Sequence, residues 1–183
     1  ASVVIDAAGD VEITDEVNAE AVGNGVDNAT ATITVDAGGN VEVLAYGEEA
    51  DIDAEAYDGV NNTATITVNA GGYVKVKARD GGDAEIEADA WDGTNNTAEI
   101  VIDADGLVEV AANGRGSDAE IEAEAYNAEQ TNIANVTVDA GTSESSADVI
   151  VKGWNSGQAR IRAEAYVDDE SNNATVKITA SDD

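Results

Sequence analysis

The sequence predicts an all-β protein, a parallel β-solenoid of about five three-stranded coils. Three observations carry that expectation. The chain repeats itself at about 33 residues, apolar and polar residues alternate strictly, and each repeat holds three such alternating stretches. Equivalent apolar positions fall at Val3, Ile33, Ile66, Ile100, Val136 and Val176, with spacings of 30, 33, 34, 36 and 40. Three is an odd number. In an antiparallel meander, successive repeats would then run in opposite directions and equivalent residues would not stack. In a solenoid they stack about 4.8 Å apart. The alternative is an antiparallel sandwich or meander, including a pilin-like fold with Ala174–Ala180 donated to a neighbour.

One repeat shows how each element is justified. In 63–70 the residues Ala64, Ile66, Val68 and Ala70 face inward and the threonines outward. In 74–79 the inward set is Val74, Val76 and Ala78, with Lys75, Lys77 and Arg79 outside. In 84–91 it is Ala84, Ile86, Ala88 and Ala90, with Glu85, Glu87, Asp89 and Trp91 outside. Corners are expected at Ala70-Gly71-Gly72, Asp80-Gly81-Gly82 and Asp92 to Asn96, where Gly, Asn and Asp tolerate positive φ. No helical period stands out. The array is expected as a single domain with coils 1–29, 30–62, 63–96, 97–133 and 134–173 and a terminal strand 174–183. The segment Gly141–Ala147 reads as a surface excursion.

Composition narrows the function. The chain has 39 acidic and 8 basic residues among 183, a formal net charge of −31. Such a surface repels nucleic acid and anionic membranes and suits salt, divalent cations or a basic partner. Cys, His, Met, Phe and Pro are absent, which excludes disulfides, imidazole bases and His/Cys metal sites. No apolar run is long enough to span a membrane as a helix. No signal peptide is read, and the first residue is Ala rather than Met, so a processed form or excised segment is expected.

The segment Val35-Asp-Ala-Gly-Gly-Asn-Val-Glu-Val43 and its copies at 68–76 and 102–110 resemble repetitive β-solenoid surface proteins of bacteria and archaea, the haemagglutinin-like adhesins and extracellular filaments. That resemblance implies an exported structural or adhesive role at the cell surface.

Stacking the repeats yields ladders. Asp51, Asp53 and Glu55 align with Glu85, Glu87 and Asp89, then with Glu120, Glu122 and Glu124, and then with Arg160, Arg162 and Glu164. The bland reading is a solvated, anti-aggregation face, and the functional one is cation bridging. Asp36, Asn69 and Asp103 at one corner, and Asp58 and Asp92 at another, are candidate Ca²⁺ ligands, since turn oxygens suit that ion; a hydrogen-bonded turn is the simpler role. Asn28, Asn61 and Asn95 open Asn-x-Thr sequons in one register, candidate glycosylation sites in an exported chain. Tyr57, Trp91, Tyr126 and Tyr166 align as an aromatic stack or a strip for another subunit or a sugar, with Arg160 and Arg162 as further interface candidates. Thr32, Thr34, Thr65 and Thr67 form a small flat patch that raises ice binding, broken in the next coil by Glu99 and Val101.

No nucleophile–base pair emerges and no enzyme is expected. The expected role is a subunit or segment of a self-associating extracellular fibre. Ala1–Ala7 and Ala174–Ala180 both read as uncapped strands able to stack head to tail or exchange between copies. Alternatives are an adhesin stalk or glycan-binding module, and a Ca²⁺-dependent surface-layer or matrix component.

Overall fold

The structure, a computed structural model, describes residues 1–141, 148–153, 157–166 and 171–180. Of the predicted excursion, residues 142–147 lie outside the described residues.

Fourteen strands build the described chain, every sheet pairing is parallel, and the fold is a β-solenoid. The first face stacks β1 (Ser2–Ala7), β4 (Ala29–Ala37), β7 (Asn61–Ala70), the second half of β9 (Ala84–Ala104), the second half of β11 (Ala119–Ala140) and β14 (Ser171–Ala180). The second face stacks β2 (Val11–Thr14), β5 (Val41–Tyr46), β8 (Val74–Arg79), β10 (Val108–Asn113) and β12 (Val149–Lys152). The third stacks β3 (Glu16–Val22), β6 (Ala50–Tyr57), the first halves of β9 and β11, and β13 (Ala159–Tyr166).

The register follows the hydrophobic pattern. Val3, Ile33, Ile66, Ile100, Val136 and Val176 meet in sequence along the first face. A slip of one residue would turn every one of them to solvent, so burial fixes the register. Ile33, Ile66, Ile100 and Val136 are fully buried, with Ile52, Ile86 and Ile121 behind the third face. Each such side chain contributes about 1.5–3 kcal/mol by leaving water. The third-face strands fill the rest of the interior with alanine, including Ala54, Ala88 and Ala123.

The corners differ from the expected plan at one place. Asp92 to Asn96 is not a separate loop, because β9 and β11 run through the corner from third face to first. A single left-handed residue makes the bend. Asp58, Asp92 and Asn127 have φ of 58°, 54° and 55°. Asp and Asn tolerate that region because a short polar side chain can bond locally.

Other corners are set by close backbone approach. A methyl on Gly82 would lie 1.7 Å from the carbonyl oxygen of Glu48 on the coil below, whereas one on Gly9 would meet nothing within 4 Å. Gly82→Ala is expected to cost at least the ~1–3 kcal/mol typical of overpacking. Gly9→Ala should stay within about 0.5 kcal/mol of the parent. Thermal unfolding of the two variants checks this, and equal melting temperatures would count against the packing described.

Candidate functional site

The third face carries the densest chemistry. Its inward alanines and isoleucines hold three strands in register, so the outward carboxylates stack one coil apart: Asp51 on Glu85 on Glu120, Asp53 on Glu87 on Glu122, and Glu55 on Asp89 on Glu124. These side chains cover one another. Glu120 and Glu122 are buried, at 8% and 5% exposure. One oxygen each of Asp51, Asp53 and Asp89 is buried with no hydrogen-bond partner.

Burial drives the electrostatics. Asp51 is pushed up to about 8, first by desolvation and then by the charges of Asp53 and Glu85. Desolvation followed by neighbouring carboxylates raises Asp53 to about 7, Glu85 to about 7 and Asp89 to about 9. Like-charge stacking is secondary here to the loss of water.

The ladders end on cations at one side. Arg160 Nη2 donates to both oxygens of Glu120 at 2.6 and 2.7 Å. Arg162 donates to Glu122, Glu124 and Glu164. Both arginines, expected as interface residues, are therefore engaged within the chain. At the other side Asn18 Nδ2 donates to Asp53 at 3.2 Å. Between these ends, the rungs of β6 and the first half of β9 lie without a described cation partner.

The aromatic residues of the same strands stack as aligned. The Tyr57 and Trp91 ring centroids are 4.6 Å apart at 8°, and those of Trp91 and Tyr126 are 5.8 Å apart at 3°. Tyr166 continues the register on Tyr126. The Tyr57 hydroxyl donates to Glu20. From Tyr57 to Tyr126 the ring faces are turned on each other. The strip therefore offers ring edges and hydroxyls rather than the open faces on which a sugar stacks.

The candidate Ca²⁺ and glycan residues fall on the remaining corners. Asp36, Asn69 and Asp103 align at the outward ends of β4, β7 and β9, and the Asn69 amide donates to Asp36. Asp58 and Asp92 serve the left-handed bend, and Asp92 accepts from Asn127 Nδ2 at 3.2 Å. Among the described residues no group of three acidic side chains converges to hold a metal ion. Asn28, Asn61 and Asn95 form an outer amide ladder: Asn61 Nδ2 donates to Asn28, and Asn95 Nδ2 to Asn61, each at 2.8 Å. The Thr patch aligns as expected, Thr32 on Thr65 and Thr34 on Thr67, then meets Glu99 and Val101.

On the second face Glu42, Lys75 and Glu109 align, but the short ion pair is diagonal. Lys77 Nζ lies 2.7 Å from Glu109 while Lys75 sits 3.6 Å over the Tyr73 ring.

One column escaped the sequence reading. Asn62, Asn96 and Asn132 are buried at the third corner and pass a hydrogen bond from amide to amide, ending on Asn172. Asn96 and Asn132 also donate to the carbonyls of Tyr126 and Tyr166, at 2.6 and 3.1 Å. The signal was present: Asn62 sits two residues before inward Ala64, and parity alone puts it inside.

Comparison with protein-family models, with curated proteins and with solved structures finds no match to this chain.

Proposed function

We propose that this chain is a structural rod segment of an extracellular, self-associating fibre or cell-surface filament, with no catalytic role. One observation carries the reading. On β14, Val176 and Ile178 are 44% and 49% exposed, although their partners Val136 and Val138 on β11 are fully buried. The outer edge of β14 is thus a core surface that another first-face strand would cover, with backbone groups ready to pair. The raised carboxylates support the same reading, because they line a regular lattice rather than a cleft that would set an acid against a base.

A second copy of the chain can supply that strand, by head-to-tail stacking or by strand exchange. Sedimentation of the 183-residue chain over a wide concentration range should show growing assemblies, with rods in electron micrographs. A stable monomer at high concentration would overturn the proposal. Substituting Val176 and Ile178 with Lys should abolish assembly and leave the coils folded.

A further inference from the structure

The rungs of β6 and the first half of β9 are built unlike the rungs above them. Next to β6 and β9 lie Glu16 and Glu20 from β3, Glu49 and Asp83 from the adjoining corners, and Glu120, Glu122 and Glu124 from β11. All of these are acidic. Arg160 and Arg162 on β13 reach only the β11 rung and Glu164. Buried, partnerless oxygens occur on Asp51, Asp53 and Asp89, which are members of the two unneutralised rungs and of no other acidic rung described. A buried carboxylate oxygen without a donor is costly, and a proton on the neighbouring carboxyl supplies that donor. Carboxyls stacked about 4.8 Å apart at the backbone can close to the O–H···O distance by small side-chain rotations.

We propose that these two rungs hold protons shared between neighbouring carboxyls at neutral pH and form a pH-sensitive clasp. In mildly alkaline solution they ionise and β6 parts from β9, while the arginine-pinned β11 and β13 stay closed. The raised carboxyls of Asp51 and Asp89, at about 8 and about 9, agree with protons retained at pH 7. The sign follows from linkage. A carboxyl whose folded value is raised binds more protons folded than unfolded. Stability is therefore greatest in acid near the ordinary carboxylate range and falls as pH rises from there to about 9. The neutral fold also carries less negative charge than its formal −31.

Hydrogen exchange read by mass spectrometry, corrected for intrinsic rates, tests this on the whole chain at pH 6.5 and pH 9, with EDTA or with Ca²⁺. Amides of 50–57 and 84–91 should lose protection about tenfold or more at pH 9, while those of 119–126 and 159–166 keep it. Unfolding at pH 7 should release protons into the buffer. The double variant Glu85→Gln, Asp89→Asn should release fewer and lose much of the pH difference. Equal protection of all rungs at both pH values overturns the clasp, as does protection that follows Ca²⁺ rather than pH.

Discussion

Asn96→Ala is expected to destabilise the chain by about 2–4 kcal/mol, far more than Asn95→Ala at its half-buried neighbour. The difference lies in what each amide leaves behind. Asn96 is fully buried, its Nδ2 serves Tyr126 O and Asn132 Oδ1, and its own Oδ1 accepts from Asn62. Alanine strands two acceptors in the interior, at about 1–3 kcal/mol for each unsatisfied group. It also opens a void against Gly93, where Asn96 Oδ1 would lie 2.6 Å from an added methyl. Asn95 Nδ2 makes one exposed bond to Asn61, and losing it should stay within about 0.5 kcal/mol. Denaturant melts of both variants check the contrast. Equal losses would mean that the inner column does no more for the fold than the outer one.

Arg162→Met is expected to be comparably damaging, and its cost should depend on pH. Arg162 is the shared donor for Glu122, Glu124 and Glu164, and Glu122 is only 5% exposed. Removing one partner of a fully buried pair costs about 3–5 kcal/mol; the Arg162 side chain is 37% exposed, so the loss here should be about 1–3 kcal/mol, set by the unpaired charge left on Glu122. Burial already raises Glu122, and Arg162 is among the groups that pull it down. Without the arginine its folded value climbs further above the unfolded one. The variant's deficit should then be largest above neutral pH and shrink as pH falls and Glu122 takes up a proton. A deficit of constant size between pH 5 and pH 8 would contradict this. The same experiment on Arg160→Met, where the partner is Glu120 at 2.6 Å, gives an internal comparison.

How much of this was legible beforehand differs by element. Strand parity and the odd strand count favoured the parallel stack over the antiparallel alternative, because equivalent residues such as Ile33, Ile66 and Ile100 stack only when every repeat runs the same way. The acidic and aromatic columns followed from the same register. The inner asparagine column did not, because Asn95 and Asn96, the equivalents of Asn61 and Asn62 one coil on, fall in a segment read as a corner. The strand in fact begins at Asn61, and alternation sends the first outward and the second inward. The corner at Asp92 was read in the right place but not in its form. Composition announces a bend there, but a single left-handed residue makes it, leaving the strand unbroken. Desolvation was also hidden, since a list of outward acids does not reveal that Glu120 and Glu122 end up buried.

The inner asparagines have a consequence for how such a molecule can change length. Each Asn in the column offers a donor in one direction along the axis and an acceptor in the other, so any member can meet any other. The same holds for the isoleucines beneath the first and third faces. Duplicating or deleting one whole coil therefore creates a junction of the same kind as those already in the chain, while inserting one residue within a strand breaks the register. Length can vary in steps of a coil with no new interface to invent.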